Sequence, residues 1–393
     1  MSRAVDAEPA GRAEIRRRPS NRRQQILESA AVLFAERGFD RVTMAQIADD
    51  VDITAGALYR HFKRKSELLA AVLVDGFERS APAGEESRSL SDFLQVRATV
   101  AAEVPNLDVL WSRDAQHLPE LEHESLLGRV RAINASYRAV IRPERPDISG
   151  RDLSLLAWAM ESVLSSTSIH VKGLNPGDYA AILRDACLAI ARTDLPELAL
   201  PEVGPRVGLI PQSRREALLA IAGRLFSERG YDGTSLADIG AEANVSGPSL
   251  YTYFENKAEI LQVILDRGDQ ALWLDLTEAL QTSVSPAVAL ERTVESYIRL
   301  VETRPYLITV LVNQSGALNE AALRSQREYV QEWVRLLTLS RPKLTSAQAH
   351  ALVRAGIRVI NNVGRIPSSV GSSDFSDRVK RVVLAVLFAE SSK

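Results

Sequence analysis

Two segments of this 393-residue chain, 22–73 and 214–265, align without a gap at an offset of 192 positions. The first reads RRQQILESAAVLFAERGFDRVTMAQIADDVDITAGALYRHFKRKSELLAAVL and the second RREALLAIAGRLFSERGYDGTSLADIGAEANVSGPSLYTYFENKAEILQVIL. Phe34 answers to Phe226, Gly38 to Gly230, Tyr59 to Tyr251, Phe62 to Phe254 and Lys65 to Lys257. A repeat of this length makes each copy a unit of folding and divides the chain into two halves of similar size.

Within each copy the apolar period is helical. Ile26, Leu27, Ala30, Leu33 and Phe34 share one helix face, and Gly38 ends that helix. Thr43 precedes Gln46 by three residues, a capping-box spacing in which each side chain satisfies a backbone donor. Thr54 is a favourable N-cap for a short third helix ending near Phe62, and Lys65 opens a fourth. The second copy repeats these marks at Gly230, Ser235, Ser246 and Lys257, with Pro248 in the first turn of its third helix. Alternating β-branched runs are missing, so the expected class is all-α. The expected divisions are a disordered basic arm over 1–20, a head over 21–79, a helical body over 80–193, a Pro-rich linker over 194–211, a second head over 212–267 and a second body over 268–393.

Helices two and three of each copy, joined by a tight turn with small residues at Ala48 and Gly240, describe a helix-turn-helix. Such a unit places its second helix in the DNA major groove. Net charge is only −2, so any nucleic-acid contact depends on local charge. The first head is net basic and the second net acidic, and Arg12, Arg16, Arg17 and Arg18 add charge beside the first alone. That arm either follows the DNA backbone or is a solubilising tail. Cys187 is the only cysteine, which excludes an intrachain disulfide or thiolate metal site. The five histidines form no metal pair, and phosphate-loop, nucleophile-elbow and triad signatures are missing, so neither an enzyme nor a cofactor is expected. No stretch approaches the ~20 apolar residues of a membrane span, and residues 1–19 lack a signal-peptide core. The expected compartment is the cytoplasm.

The longer pattern, LFxERG(F/Y)D followed by T/S-x-A-x-I and LYxxFxxKxEL, closely resembles the TetR family of one-component bacterial regulators. The resemblance covers both motifs and implies three-helix heads, each joined by a fourth helix to a body that binds a small molecule. It also implies two bodies paired through four helices, here within one chain as a pseudo-twofold dimer. It implies phosphate contacts from Thr43, Tyr59, His61 and Lys65, with Thr54 capping the reading helix and Ala55, Gly56, Ala57 and Arg60 at base edges. In the second copy Ser235, Tyr251, Tyr253 and Lys257 take the phosphate roles, Ser246 the cap, and Gly247, Pro248, Ser249 and Thr252 the groove. Residue chemistry leaves other roles open. Tyr59 can pack, Ala55 and Gly56 have almost no side chain with which to read a base, and Arg60 is either a solvated charge or a bidentate partner of guanine. The implied partners are a double-stranded operator and a small hydrophobic effector. The tandem layout is similar to that of repressors of mycobacterial mammalian-cell-entry lipid-import operons, which implies a lipid-related effector.

Beyond the heads similarity is low. A weak echo aligns Pro105 and Leu107 with Pro305 and Leu307 at an offset of 200. Trp111, Tyr137 and Trp158 in the first body, and Trp273, Tyr297, Tyr306, Asn313 and Trp333 in the second, are candidates for an effector pocket or for ordinary core. Helices near 150–172, 177–192, 345–364 and 374–390 are rich in small and apolar residues, among them Leu155, Ala159, Val163, Ile182, Ala186, Val359, Val383, Ala385 and Val386. These are expected to pack half against half.

Overall fold

The structure, a computed structural model, describes residues 22–80, 89–103, 107, 110–168, 173–196, 211–231, 233–245, 247–304, 307, 320–363 and 375–390. The basic arm, Ser246, Tyr306, Asn313 and most of the linker lie outside the described residues. Among the described residues every regular element is helical.

The first head is α1 (Arg22–Arg37), α2 (Met44–Asp50) and α3 (Ala55–His61), with α4 (Lys65–Ser80) leading to the body. Gly38 at φ 87 ends α1, a conformation that would strain any side chain. Thr43 accepts from the Gln46 backbone amide at 3.2 Å while the Gln46 side chain accepts from the Thr43 amide at 2.8 Å, completing the capping box. Thr54 caps α3 by accepting from Ala57 N at 3.2 Å. Phe34, Ile47 and Leu58 are fully buried between these helices, each contributing about 1.5–3 kcal/mol.

The second head repeats the plan with α9 (Arg214–Arg229), α10 (Leu236–Glu242), α11 (Gly247–Leu250) and α12 (Lys257–Thr282). The turn of each helix-turn-helix passes through a left-handed residue, Asp52 at φ 54 and Asn244 at φ 52, types that tolerate that conformation. At Gly240 an added Cβ would lie 2.9 Å from the Val245 carbonyl oxygen, so the turn closes on a residue without a side chain.

Each body has four helices among its described residues. The first holds α5 (Leu90–Glu103), α6 (Glu120–Ile141), α7 (Gly150–Leu164) and α8 (Pro176–Ala191). The second holds α13 (Pro286–Thr303), α14 (Glu320–Ser340), α15 (Ser346–Val363) and α16 (Phe375–Leu387). The bodies are also repeats, in a register of 196 positions. Arg145 Nη1 donates to the carbonyls of Ala191 and Thr193 at 2.8 and 3.3 Å, and Arg341 donates to those of Leu387 and Ala389, each at 2.7 Å. The fully buried Leu94, Tyr137, Ile141 and Val163 answer to the equally buried Leu290, Trp333, Leu337 and Val359. α13 is 18 residues long against 14 for α5.

The halves meet where α7 and α8 pack on α15 and α16, with α8 also against α15. Ala159, Val163, Ala186, Val359, Val383 and Val386 are buried there, and Ile182 and Ala385 are half-buried. One chain thus forms a pseudo-twofold dimer. The heads join it differently. The apolar core of the second head is continuous with the bodies through the 26-residue α12, while the first head has its own core, closed by Leu110, Ala115, Leu118 and Leu126.

Candidate nucleic-acid interface

The exposed face of the first helix-turn-helix is formed by α3. Tyr59, Arg60 and His61 all reach solvent, and Tyr59 is half exposed although it sits between the buried Leu58 and Phe62. An aromatic ring in that position needs an outside reason to be there. Arg60 Nε makes only a long 3.4 Å contact with the carbonyl of Gly56 one turn back, so its guanidinium can swing outward. Gly56 is open, with nothing within 4 Å of an added Cβ.

The second reading helix is shorter than its sequence suggests. α11 covers four residues where α3 covers seven, and the chain continues through Tyr251–Tyr253 as a turn. Thr252 and Tyr253 donate to the carbonyls of Ser249 and Leu250 at 3.2 and 2.9 Å, three-residue bonds rather than α-helical ones. Tyr251 and Thr252 remain exposed, Tyr253 is half-buried, and the side chains of Gly247 and Pro248 lie outside the described residues.

The two lysines have a task other than the phosphate contact the resemblance implies. Lys65 Nζ donates to the carbonyls of Phe39, Asp40 and Val42 at 2.6, 3.4 and 2.9 Å and lies 4.3 Å over the Phe39 ring. Lys257 does the same with Tyr231 and Thr234 at 2.6 and 2.9 Å, 4.1 Å over the Tyr231 ring. An ammonium has three donors, and those of Lys65 are all in use. Burial lowers its pKa, partly opposed by Asp40 and Asp114. These lysines tie the loop after the first helix to the fourth, and so set the height of helix two.

The start of helix two is a natural seat for a phosphate, because its free amides point outward. In the first head that seat carries the neutral Thr43 and Gln46. In the second, Ser235 is paired with Asp238, whose carboxylate accepts from the Ser235 hydroxyl at 2.5 Å and the Ser235 amide at 2.8 Å. These bonds hold the Asp238 carboxyl below its usual range. The second head therefore keeps its own anion where DNA would bring one.

A segment of the first body grips the first head. A π turn over Leu110–Asp114 and a 3-10 turn over Ala115–His117 place Arg113 on the end of α1. Arg113 donates to the carbonyls of Phe34 and Ala35 at 2.5 and 3.1 Å and pairs with the buried Asp114 at 2.8 Å. His117 stacks on Phe39 with ring centroids 4.5 Å apart and lies 3.4 Å from Asp40. Gln116 reaches the other head, 3.0 Å from where a Cβ on Gly230 would lie. Pattern reading missed this contact, because a lone Arg-Asp pair in a polar turn gives no periodic signal.

The aromatic candidates in the bodies fall into different environments. Tyr137 is fully buried and its hydroxyl accepts from Arg97 at 3.0 Å, with Glu161 on the same guanidinium at 3.2 Å. Burial pushes its phenol pKa well up, against the pull of Arg97. Trp111 packs edge-on against Phe77 of α4 at 5.7 Å and stacks on His123 at 5.6 Å. Trp158 is half-buried on α7. In the second body Trp273, Tyr297 and Trp333 meet around Tyr329, which the sequence analysis overlooked, at centroid distances of 5.8, 6.4 and 6.3 Å. Trp273 donates to Ser325 at 2.7 Å and Tyr297 to Asn361 at 3.0 Å. The i, i+4 spacing of Tyr329 and Trp333 was the available signal. Among the described residues no group of His, Cys, Asp and Glu could hold a metal, and no helix is long and apolar enough to cross a membrane.

Two helix-turn-helix heads, each with an exposed tyrosine on its reading element, are thus borne by paired helical bodies. Residues 26–72 and 218–264 both match the family described as bacterial regulatory proteins, tetR family. Each head thus carries one segment that matches this family, and the two lie in tandem along the chain. Among curated proteins, the HTH-type transcriptional repressor KstR2 of Mycolicibacterium smegmatis is 44% identical over 57 residues, 14% of this chain and 28% of that protein. KstR2 of Rhodococcus jostii is 36% identical over 112 residues, 26% of this chain and 52% of its own length. The HTH-type transcriptional activator FasR of Mycolicibacterium smegmatis is 33% identical over 104 residues, 26% of this chain and 48% of FasR. The chain thus spans between about a quarter and a half of these relatives. Among solved structures, a TetR-family regulator from Bordetella parapertussis aligns at 23% identity with a TM-score of 0.43, covering 46% of this chain and 96% of that one.

Proposed function

We propose that this chain is a ligand-responsive transcriptional repressor that holds an asymmetric operator with two non-identical heads. The observation that carries this reading is the contrast between the heads on a shared plan. The seam is pseudo-symmetric, yet one reading helix has seven residues and offers Ala55, Gly56, Ala57 and Arg60, while the other has four and offers Gly247, Pro248, Ser249 and Thr252. A homodimer presents two equal helices and reads a palindrome. Here Arg60 suits a guanine, and Thr252 suits a thymine methyl or a phosphate. Tyr59, His61, Tyr251 and Tyr253 hold the backbone on either side.

The effector is a small hydrophobic, lipid-related molecule, with the aromatic group around Trp273, Tyr297 and Trp333 as its recognition surface in the second body. Its entry reaches the heads through α4, the Arg113 contact and α12. A selection from randomised operators tests the reading. Two half-sites of different sequence are expected, with Arg60→Ala relaxing one of them by about 1–3 kcal/mol. Recovery of a perfect inverted repeat would overturn it. A second reading, activation rather than repression, is favoured by the likeness to FasR, and a reporter assay with the selected operator decides between them.

A further inference from the structure

Among the described residues, the seam between the halves holds a charge without a counter-charge. Arg354 lies on α15, the helix that packs on α8 and the 3-10 turn Ser165–Ser168 of the first half. It makes no hydrogen bond or ion pair with any described residue, and its Nε is buried. Its electrostatic neighbour is Tyr179 of α8, whose hydroxyl is buried and has no hydrogen bond of good geometry. Ser166 is the nearest polar neighbour of that phenol, but its own hydroxyl donates to the Val163 carbonyl at 2.6 Å. One turn before Arg354 on the same face is His350, half-buried, and one turn after it is Arg358.

The described acids on the seam helices have partners elsewhere. Asp152 pairs with Arg378, Glu161 with Arg97 at 3.2 Å, Asp185 with Arg184 at 2.7 Å and Asp377 with Lys380 at 3.7 Å. Asp178, next to Tyr179, is exposed and accepts from Asn175 at 2.8 Å. Among the described residues, what remains at the seam is a pair of donors, guanidinium and phenol, in a half-dry place with no side-chain acceptor to match. A buried charge is tolerated only when paired, and a planar guanidinium fits a carboxylate or phosphate in bidentate fashion.

We propose that the seam binds the oxyanion group, carboxylate or phosphate, of a small molecule between Arg354 of the second half and Tyr179 of the first. Pseudo-symmetry fixes the stoichiometry. At the register of 196 positions, His350, Arg354 and Arg358 correspond to Ser154, Trp158 and Ser162 of α7, which carry no charge. The mate of this site carries no cation, so each chain takes one anion. A ligand held by both halves fixes the angle between them, and so the spacing of the heads.

The site goes beyond the effector reading above, and its failure would leave the operator selection untouched. The test is thermal melting of the full chain in sodium phosphate, or in sodium octanoate, against chloride at equal ionic strength. Wild type should show a saturable rise of about 2 °C or more with at least one probe. A response to phosphate alone marks a phosphate-bearing ligand, and one to octanoate alone a carboxylate. Arg354→Met should abolish the rise yet melt no lower than wild type in chloride, because an apolar side chain replaces an unpaired charge. Tyr179→Phe should weaken the apparent affinity several-fold. No rise with either probe, or an equal rise in Arg354→Met, would overturn the proposal. So would a drop in the chloride melting temperature of Arg354→Met, which would show the guanidinium already satisfied.

Discussion

Arg113 joins the first body to the first head through bonds that can be removed one at a time. Replacing it with Ala deletes two charge-assisted bonds to the end carbonyls of α1 and leaves Asp114, 3% exposed, without its partner. Bonds to a charged group contribute about 1.5–3 kcal/mol each. Arg113 is 15% exposed on its side chain, so the low end applies and the loss should be about 3 kcal/mol. A local opening of the head that drew on this contact would become roughly 100-fold more frequent. Hydrogen exchange on amides of residues 26–37 reads that change directly, and amides of 218–229 in the second head should be unaffected. The double variant Arg113→Ala/Asp114→Asn should recover part of the loss, since the stranded charge is gone. Binding to the first half-site should weaken with the same pattern. Unchanged exchange in α1, with unchanged half-site affinity, would show that the contact transmits nothing.

Three other outcomes are expected. Asp238→Gln gives the second head the neutral cap of the first, and should tighten DNA binding about fivefold at low salt with a smaller gain at high salt, measured by fluorescence anisotropy. Lys65→Met should lower the melting temperature while leaving the salt slope of DNA binding unchanged, whereas a true phosphate ligand would reduce that slope by ~0.9. His350 has its pKa lowered first by burial and then by Arg354. The unfolded chain therefore takes up this proton at a higher pH than the folded one. The stability tied to neutral His350 is present above the unfolded pKa near 6.5 and is lost as pH falls through the lower folded value. Melting curves from pH 7.5 down to 5.5 should fall less steeply for His350→Gln than for wild type, and parallel curves would refute the assignment.

The heads were legible because their structure is written in local chemistry. Thr43 with Gln46, Thr54, Gly38 and the period of Ile26 to Phe34 each specify a cap, a stop or a face within a few residues. What was not legible depends on partners distant in sequence. Lys65 resembles a free surface charge until the carbonyls of Phe39 and Val42 are brought to it. The left-handed Asp52 and Asn244 were an available signal that small residues nearby obscured. The repeat of the bodies was hidden because packing conserves volume and depth rather than residue type. Tyr137 and Trp333, or Cys187 and Val383, fill matching places with different chemistry. Arg145 and Arg341 kept their type because a guanidinium at the end of a helix has few substitutes.

The seam of α7, α8, α15 and α16 joins parts of a single polypeptide, and this changes how operator occupancy scales with expression. Separate subunits must first find each other, so at low copy number the active species falls with the square of the amount made. A pair tethered in one chain meets at an effective concentration set by the tether, whatever the cell contains. Occupancy then follows gene dose to the first power. On the proposed reading, a few molecules per cell suffice to fill an operator, and a modest change in synthesis gives a graded response rather than a threshold.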